Sequence, residues 1–201
     1  MLIVISAAIG FVMGSLPFSV WLVRWIVHAD VREFGDGNPG AISAWRAGGW
    51  RVGLPVLLLD VIKGASSVVL ARFVFGLEGW SSVPAALSPV FGHVLSPWLR
   101  FRGGKGIAAT FGVWSALTYW VVPTTLGLLM AAIMAVQAVH AWTVVIAATG
   151  TLIVLVLMHV ETSLIVTFVL NVALLMWTHR KELLATPKLR NFSDTKRKED
   201  S

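Results

Sequence analysis

Cysteine is absent from the 201 residues, which excludes a disulfide framework, a thiol nucleophile and any Cys-ligated metal site. Charge is scarce, at 13% against 57% hydrophobic residues, and that much apolar surface cannot be hidden in one soluble core of this size. The 74 residues from Gly106 to His179 hold no Lys or Arg and a single acid, Glu161. Two motifs are missing as well. Without a Gly-x-x-x-x-Gly-Lys-Ser/Thr loop a nucleotide hydrolase is disfavoured, and without a Gly-x-Ser-x-Gly elbow there is no signal for a serine acyl-enzyme. No basic region and no small-residue cleavage site precede Arg24, so the first apolar segment reads as retained. No His/Asp/Glu cluster has a metal-ligand spacing, and no cofactor is implied.

What is present is basic and clustered. All of the sixteen Lys and Arg residues except Lys63 and Arg72 fall in Arg24–Arg51, Arg100–Lys105 or the segment from Arg180 to the C-terminus. Each cluster follows or separates apolar stretches long enough to cross a bilayer, so the positive-inside rule puts all three on one side. The net charge of +6 is therefore read as a tail facing anionic lipid and not as a nucleic-acid footprint. Spans are expected at Leu2–Val27, Val52–Phe75 and about Val83–Leu99. Breaks near Pro123, His140 and His159 cut the remainder into four short helices. The expected fold is all-α: a seven-helix membrane bundle with its N-terminus outside and its C-terminus inside. Residues 1–179 form one membrane domain, and 180–201 form a basic cytoplasmic tail, disordered from Asn191. Trp25, Trp80, Trp98, Trp120, Trp142 and Trp177 fall near span ends, as interfacial anchors do. Oligomeric state is not legible.

The first two basic clusters also carry glycine-rich runs. In Gly35-Asp36-Gly37-Asn38-Pro39-Gly40 the glycines permit positive φ and let backbone N–H groups converge on an anion, with Arg46 following to fork two phosphate oxygens. Gly103-Gly104-Lys105-Gly106 enters an apolar helix directly, bringing backbone donors, a helix N-terminus and a lysine together. Asp60 and Lys63 are three apart on one helical face. Burying either alone costs about 2.5–3.5 kcal/mol, so they are expected to pair. His93 is a packing residue or a polar pocket wall. His140, His159 and Glu161 read as interfacial. His179 starts the inside tail at the depth of the glycine runs.

Taken in order, these pieces resemble the PlsY family, bacterial membrane glycerol-3-phosphate acyltransferases that use acyl phosphate as donor. The matching stretches are Gly14-Ser15-Leu16-Pro17-Phe18, Gly35 to Arg46, Leu58 to Gly64, Pro89 to His93, Phe101 to Gly106 and His179-Arg180. The resemblance implies seven spans, three cytoplasmic motifs, no metal, and acyl phosphate and glycerol 3-phosphate as substrates, with no acyl-CoA or acyl-carrier-protein requirement. It assigns catalytic roles to Arg46, Lys105 and His179; Asp36, which stands where the family has serine, is read from its own chemistry as a further acceptor for the substrate proton. Substrate or phosphate binding falls to Gly35, Gly37, Asn38, Gly40, Ser43, Gly103, Gly104, Gly106, Lys63 and His93; which glycine run takes which phosphate is open. The chain departs from the family pattern at Asp36, where serine is usual, at Ile42 for threonine, at Ser43 for asparagine and at Glu182 for the asparagine three residues after the histidine. Two other readings stand beside it. One is a silent or acceptor-diverged lipid-binding relative, and the other an anion or lipid transporter, although the latter usually shows midplane sites and repeat symmetry.

Overall fold

The computed structural model describes residues 1–190; the expected disorder from Asn191 onward lies outside the described residues. Among those residues the chain is helical, without a strand. Its helices are α1 (Leu2–Ser15), α2 (Phe18–Ile26), α3 (Ala41–Gly48), α4 (Trp50–Val69), α5 (Val83–Val94), α6 (Ile107–Thr118), α7 (Val121–Val136), α8 (His140–Leu157) and α9 (Thr162–Thr178). Among the described residues three stretches are long and apolar enough to cross a membrane: Leu2–Ile26, Trp50–Val74 and His140–Leu157.

Local chemistry explains the breaks. Leu16 turns extended before Pro17, as residues preceding proline must, so the first stretch is α1 and α2 around a kink. Pro55 sits in the second turn of α4, where its missing N–H forfeits the bond to the Arg51 carbonyl, and α4 runs on through a π turn, Leu70–Val74. The expected third span is shorter than its apolar run: α5 stops at Val94, and Pro97–Leu99 makes a separate 3-10 turn. Between α6 and α7 the break is Tyr119-Trp120, both at positive φ. Pro123 lies within the first turn of α7, where its missing N–H is tolerated.

Packing depends on small residues. α1 lies along α5 and α4 along α6, so close that a Cβ on Gly92 would stand 2.2 Å from the Phe11 carbonyl oxygen and one on Gly112 1.9 Å from that of Val61. Where lipid is as apolar as a side chain, such backbone approach and interhelical hydrogen bonds replace the hydrophobic drive. The core joins Val90, Val113, Trp114, Leu155 and Phe168, with Trp114 edge-on to Phe168 at 5.1 Å. One polar chain crosses it: the Trp114 indole donates to Asn171, and the Asn171 amide donates to Thr110. Leu128, Ile153, Leu157 and Val169 point outward, and helices apolar on every face suit a lipid surround. At one end the residues after α9 fold back onto the α7–α8 turn: Ala138 N–H donates to Lys188 O at 2.9 Å, Arg190 N–H to Val136 O at 2.7 Å, and the Trp142 indole to Ala185 O at 2.8 Å.

Candidate active site

Lys105 is the meeting point of three distant segments. Its Nζ donates to Asp36 Oδ2 at 2.6 Å and also to Glu182 Oε1, and its carbonyl accepts from the Thr178 hydroxyl at 3.1 Å. The first glycine run, the second and the end of α9 are thus held together through one side chain, 21% exposed.

The first loop reaches this point by a sequence of local bonds. Asp30 caps the turn Val31–Glu33. Asp36 Oδ1 then accepts from Asn38 N–H at 3.2 Å, an Asx turn, and Ser19 on α2 donates to Pro39 O at 2.7 Å, pinning the loop to the bundle. Gly35 has φ +72 and lies under Arg46: a Cβ there would be 3.0 Å from an Arg46 guanidinium nitrogen and 3.3 Å from Ser43 Oγ. Glycine is required by the backbone conformation and by that packing. Ser43 is buried on α3 while Ile42 is exposed. Arg46, Ala41, Ile42, Trp45, Gly53 and Leu57 line a groove of about 330 Å³ between α3 and α4. The arginine stands at a polar edge of an otherwise apolar channel.

The second run differs from the expected phosphate cradle. Gly103 N–H donates to Val94 O at 3.0 Å and Gly104 N–H to His93 O at 3.1 Å, so two amides expected to face an anion are spent on the carbonyls at the end of α5. Their glycine character has another cause. A Cβ on Gly103 would stand 1.9 Å from His93 O, and one on Gly104 2.2 Å from His93 Nε2. Gly106, at φ +88, is the N-cap of α6.

Lys63 and His93, expected among the binding residues, lie beneath the loops. Lys63 pairs with Asp60 at 2.6 Å, as the sequence requires, and donates to Leu16 O, an orphan carbonyl at the kink between α1 and α2. His93 Nδ1 is 3.7 Å from Asp60 Oδ1, and its ring supports Gly104. Both side chains are buried and, with Asp60, line a small pocket shared with Pro39 and Gly104 of the two loops.

His179 is 2% exposed. Its Nδ1 lies 2.8 Å from Leu175 O and 3.1 Å from the Thr178 hydroxyl. A proton on Nδ1 satisfies the carbonyl and leaves Nε2 as a lone-pair acceptor. Burial lowers its pKa; the Leu175 bond opposes this, the Lys105 charge adds to it, and Glu182 and Asp36 oppose it, with a net fall below 6.5. The ring is neutral at pH 7. Asp36 is the reverse case. Partial burial favours its acid form, but the Lys105 and Asn38 hydrogen bonds outweigh it and pull the pKa below the ordinary 3.8. Burial likewise disfavours the Lys105 ammonium, yet hydrogen bonds to Asp36 and Glu182 raise its pKa. The site holds a lysine paired with two acidic side chains, beside a neutral imidazole. Sequence reasoning named Glu182 only as a departure. Its position three residues past His179, one turn on, was the signal that it shares the site.

An all-helical, largely apolar bundle with a cluster of paired basic and acidic side chains at one end, beside an apolar groove, defines an integral membrane protein. Comparison with known proteins agrees. The profile described as Glycerol-3-phosphate acyltransferase matches residues 4–186. A glycerol-3-phosphate acyltransferase of Parasynechococcus marenigrum is 35% identical over 176 residues, 88% of this chain and 82% of that one. Glycerol-3-phosphate acyltransferase 1 of Thermotoga maritima is 43% identical over 122 residues, a stretch spanning 59% of each protein. The crystal structure of PlsY, an integral membrane glycerol 3-phosphate acyltransferase in its glycerol 3-phosphate form, superposes with a TM-score of 0.79 at 25% identity, covering 90% of both chains. Its lysophosphatidic acid form gives 0.80 at 23% identity. The chain belongs to the glycerol-3-phosphate acyltransferase family.

Proposed function

We propose that this protein transfers a fatty acyl group from acyl phosphate to the primary hydroxyl of glycerol 3-phosphate, giving 1-acyl-glycerol 3-phosphate and inorganic phosphate, the first acylation of phospholipid synthesis. The observation that carries this reading is the convergence of Asp36, Lys105 and Glu182, beside Arg46 and next to a neutral His179. In the mechanism, the donor's chain lies in the groove lined by Ile42, Trp45 and Leu57, with its phosphate near Arg46. Lys105 binds the other phosphate. The donor is already activated, so the acceptor hydroxyl attacks the carbonyl carbon directly, with no covalent enzyme intermediate. As the C–O bond forms and the bond to phosphate breaks, His179 Nε2 takes the hydroxyl proton and passes it to the departing phosphate. Arg46 stabilises charge as it develops on that phosphate. Asp36 orients Lys105; its lowered pKa makes it a poor base.

The same reading places seven crossings in the plasma membrane, made by α1 with α2, by α4, and by α5 to α9, with the N-terminus outside and the motifs and tail cytoplasmic. It treats 1–179 as one membrane domain. In support, the α7–α8 turn and the segment after α9 hydrogen-bond each other, which is compatible with both lying on one side. A catalytically silent relative is the competing reading, favoured by the acids at 36 and 182. The two separate on Arg46→Ala and Lys105→Ala. Each should remain folded in detergent and lose at least about 100-fold in turnover with acyl phosphate and glycerol 3-phosphate, the scale of losing one charge-stabilising donor. Unchanged rates in both remove the assigned roles.

A further inference from the structure

Two carboxylates from distant parts of the chain, Asp36 and Glu182, bind Lys105, which the catalytic reading gives to one of the two phosphates. Asp36, Lys105 and Glu182 carry a formal sum of −1, so an incoming dianion meets a neutralised lysine flanked by like charge. The two acids are not equivalent. Asp36 is on a short side chain whose other oxygen closes the Asx turn with Asn38. Glu182 has a longer side chain, is 34% exposed, and opens the 3-10 turn Glu182–Leu184, whose backbone is fixed by Glu182 and Leu183 N–H bonds to His179 O and by the Trp142 indole on Ala185 O. Its carboxylate can swing off Lys105 by side-chain rotation alone, while the backbone stays docked.

We propose that Glu182 is a specificity-determining residue for the phosphorylated substrate: its carboxylate occupies Lys105 as an internal stand-in for phosphate, and the substrate phosphate binds by displacing it. This rests on Lys105 being a phosphate ligand, as in the reading above. A carboxylate and a phosphate oxygen accept the same ammonium hydrogens, so occupancy by one excludes the other at that donor. Affinity for the phosphate is then set by the competition, and Glu182 holds it below what Lys105 and Arg46 alone would give. A purely structural Glu182, needed only to keep Lys105 in place, makes the opposite prediction, because its loss would weaken phosphate binding.

The test is calorimetric titration of inorganic phosphate and of glycerol 3-phosphate into the purified full-length protein in detergent, for the parent, Glu182→Gln, Glu182→Asn and Glu182→Asp, with melting curves of each. Both amide variants should bind the two ligands about fivefold more tightly, near the upper end of what a partly exposed ion pair is worth. Glu182→Asp should stay within about threefold of the parent. In turnover the amide variants should lower KM for glycerol 3-phosphate far more than they change kcat. The proposal falls if neither amide variant tightens phosphate binding. Because binding is read without turnover, an inactive chain would sink the acyltransferase reading and leave this comparison intact, whereas unchanged phosphate affinity in an active enzyme sinks only the role of Glu182.

Discussion

Gly103→Ala tests whether the second glycine run works by close backbone approach. The added Cβ would stand 1.9 Å from His93 O and 2.8 Å from Val94 O, both backbone atoms in the last turn of α5, so neither can rotate away. Reaching even a 3.0 Å contact with His93 O requires about 1 Å of movement. That movement stretches the Gly103 and Gly104 N–H bonds to Val94 and His93, worth about 0.5–1.5 kcal/mol each, so about 1–3 kcal/mol of stability is lost. For a chain of this size that lowers Tm by several degrees. Lys105 is two residues further on and moves with the loop, and a 1 Å misplacement at a reacting site costs about 100-fold in rate. The assay is phosphate release from palmitoyl phosphate with glycerol 3-phosphate, beside a melting curve in detergent. Gly37→Ala is the control: φ is +75, but a Cβ there meets nothing closer than 3.6 Å. It pays only the left-handed strain of about 1–2 kcal/mol and should keep activity within about tenfold. A Gly103→Ala enzyme within about threefold of the parent would refute the close-approach argument.

The lowered pKa of His179 predicts a rate that is level through neutral pH and falls only on the acid side of 6.5, as the ring gains a proton; an inflection above pH 7 would contradict it. The same shift acts on stability: below 6.5 the unfolded chain binds a proton that folded His179 refuses, so melting temperature should fall as pH drops through that window and should do so less in His179→Ala. Topology is open to direct labelling because the chain has no native cysteine. Single cysteines at Asp30, Arg100 and Lys188 should react only from the cytoplasmic side, and at Gly76 and Glu161 only from outside; any exchange between the two groups overturns the seven-crossing arrangement.

The membrane class, the helical breaks near His140 and His159, and the Asp60–Lys63 pair were legible because each follows from a local rule, apolar length or the cost of an unpaired buried charge; the kink at Pro17 was not, since the apolar run Leu2–Val27 reads as one unbroken span. The chemistry-bearing segments were legible as a set, since basic residues cluster where glycine does. What the sequence could not carry is which donors are free. Gly103 and Gly104 look like an anion cradle until α5 ends where it does, at Val94, and offers its carbonyls to both amides. The run Val83–Leu99 is apolar almost to Leu99, so hydropathy extends the span past the turn that Pro97 makes. Glu182 is separated from Lys105 by 77 positions, and only the fold-back of the segment after α9 joins them.

The central claim is that one catalytic event joins the acyl group to the acceptor and frees phosphate. The direct measurement follows both products from the purified parent protein supplied with palmitoyl phosphate and glycerol 3-phosphate. It should release inorganic phosphate and 1-palmitoyl-glycerol 3-phosphate in a one-to-one ratio, with neither formed when glycerol 3-phosphate is omitted. Phosphate release without the acylated product, or no turnover of this pair at all, would contradict it.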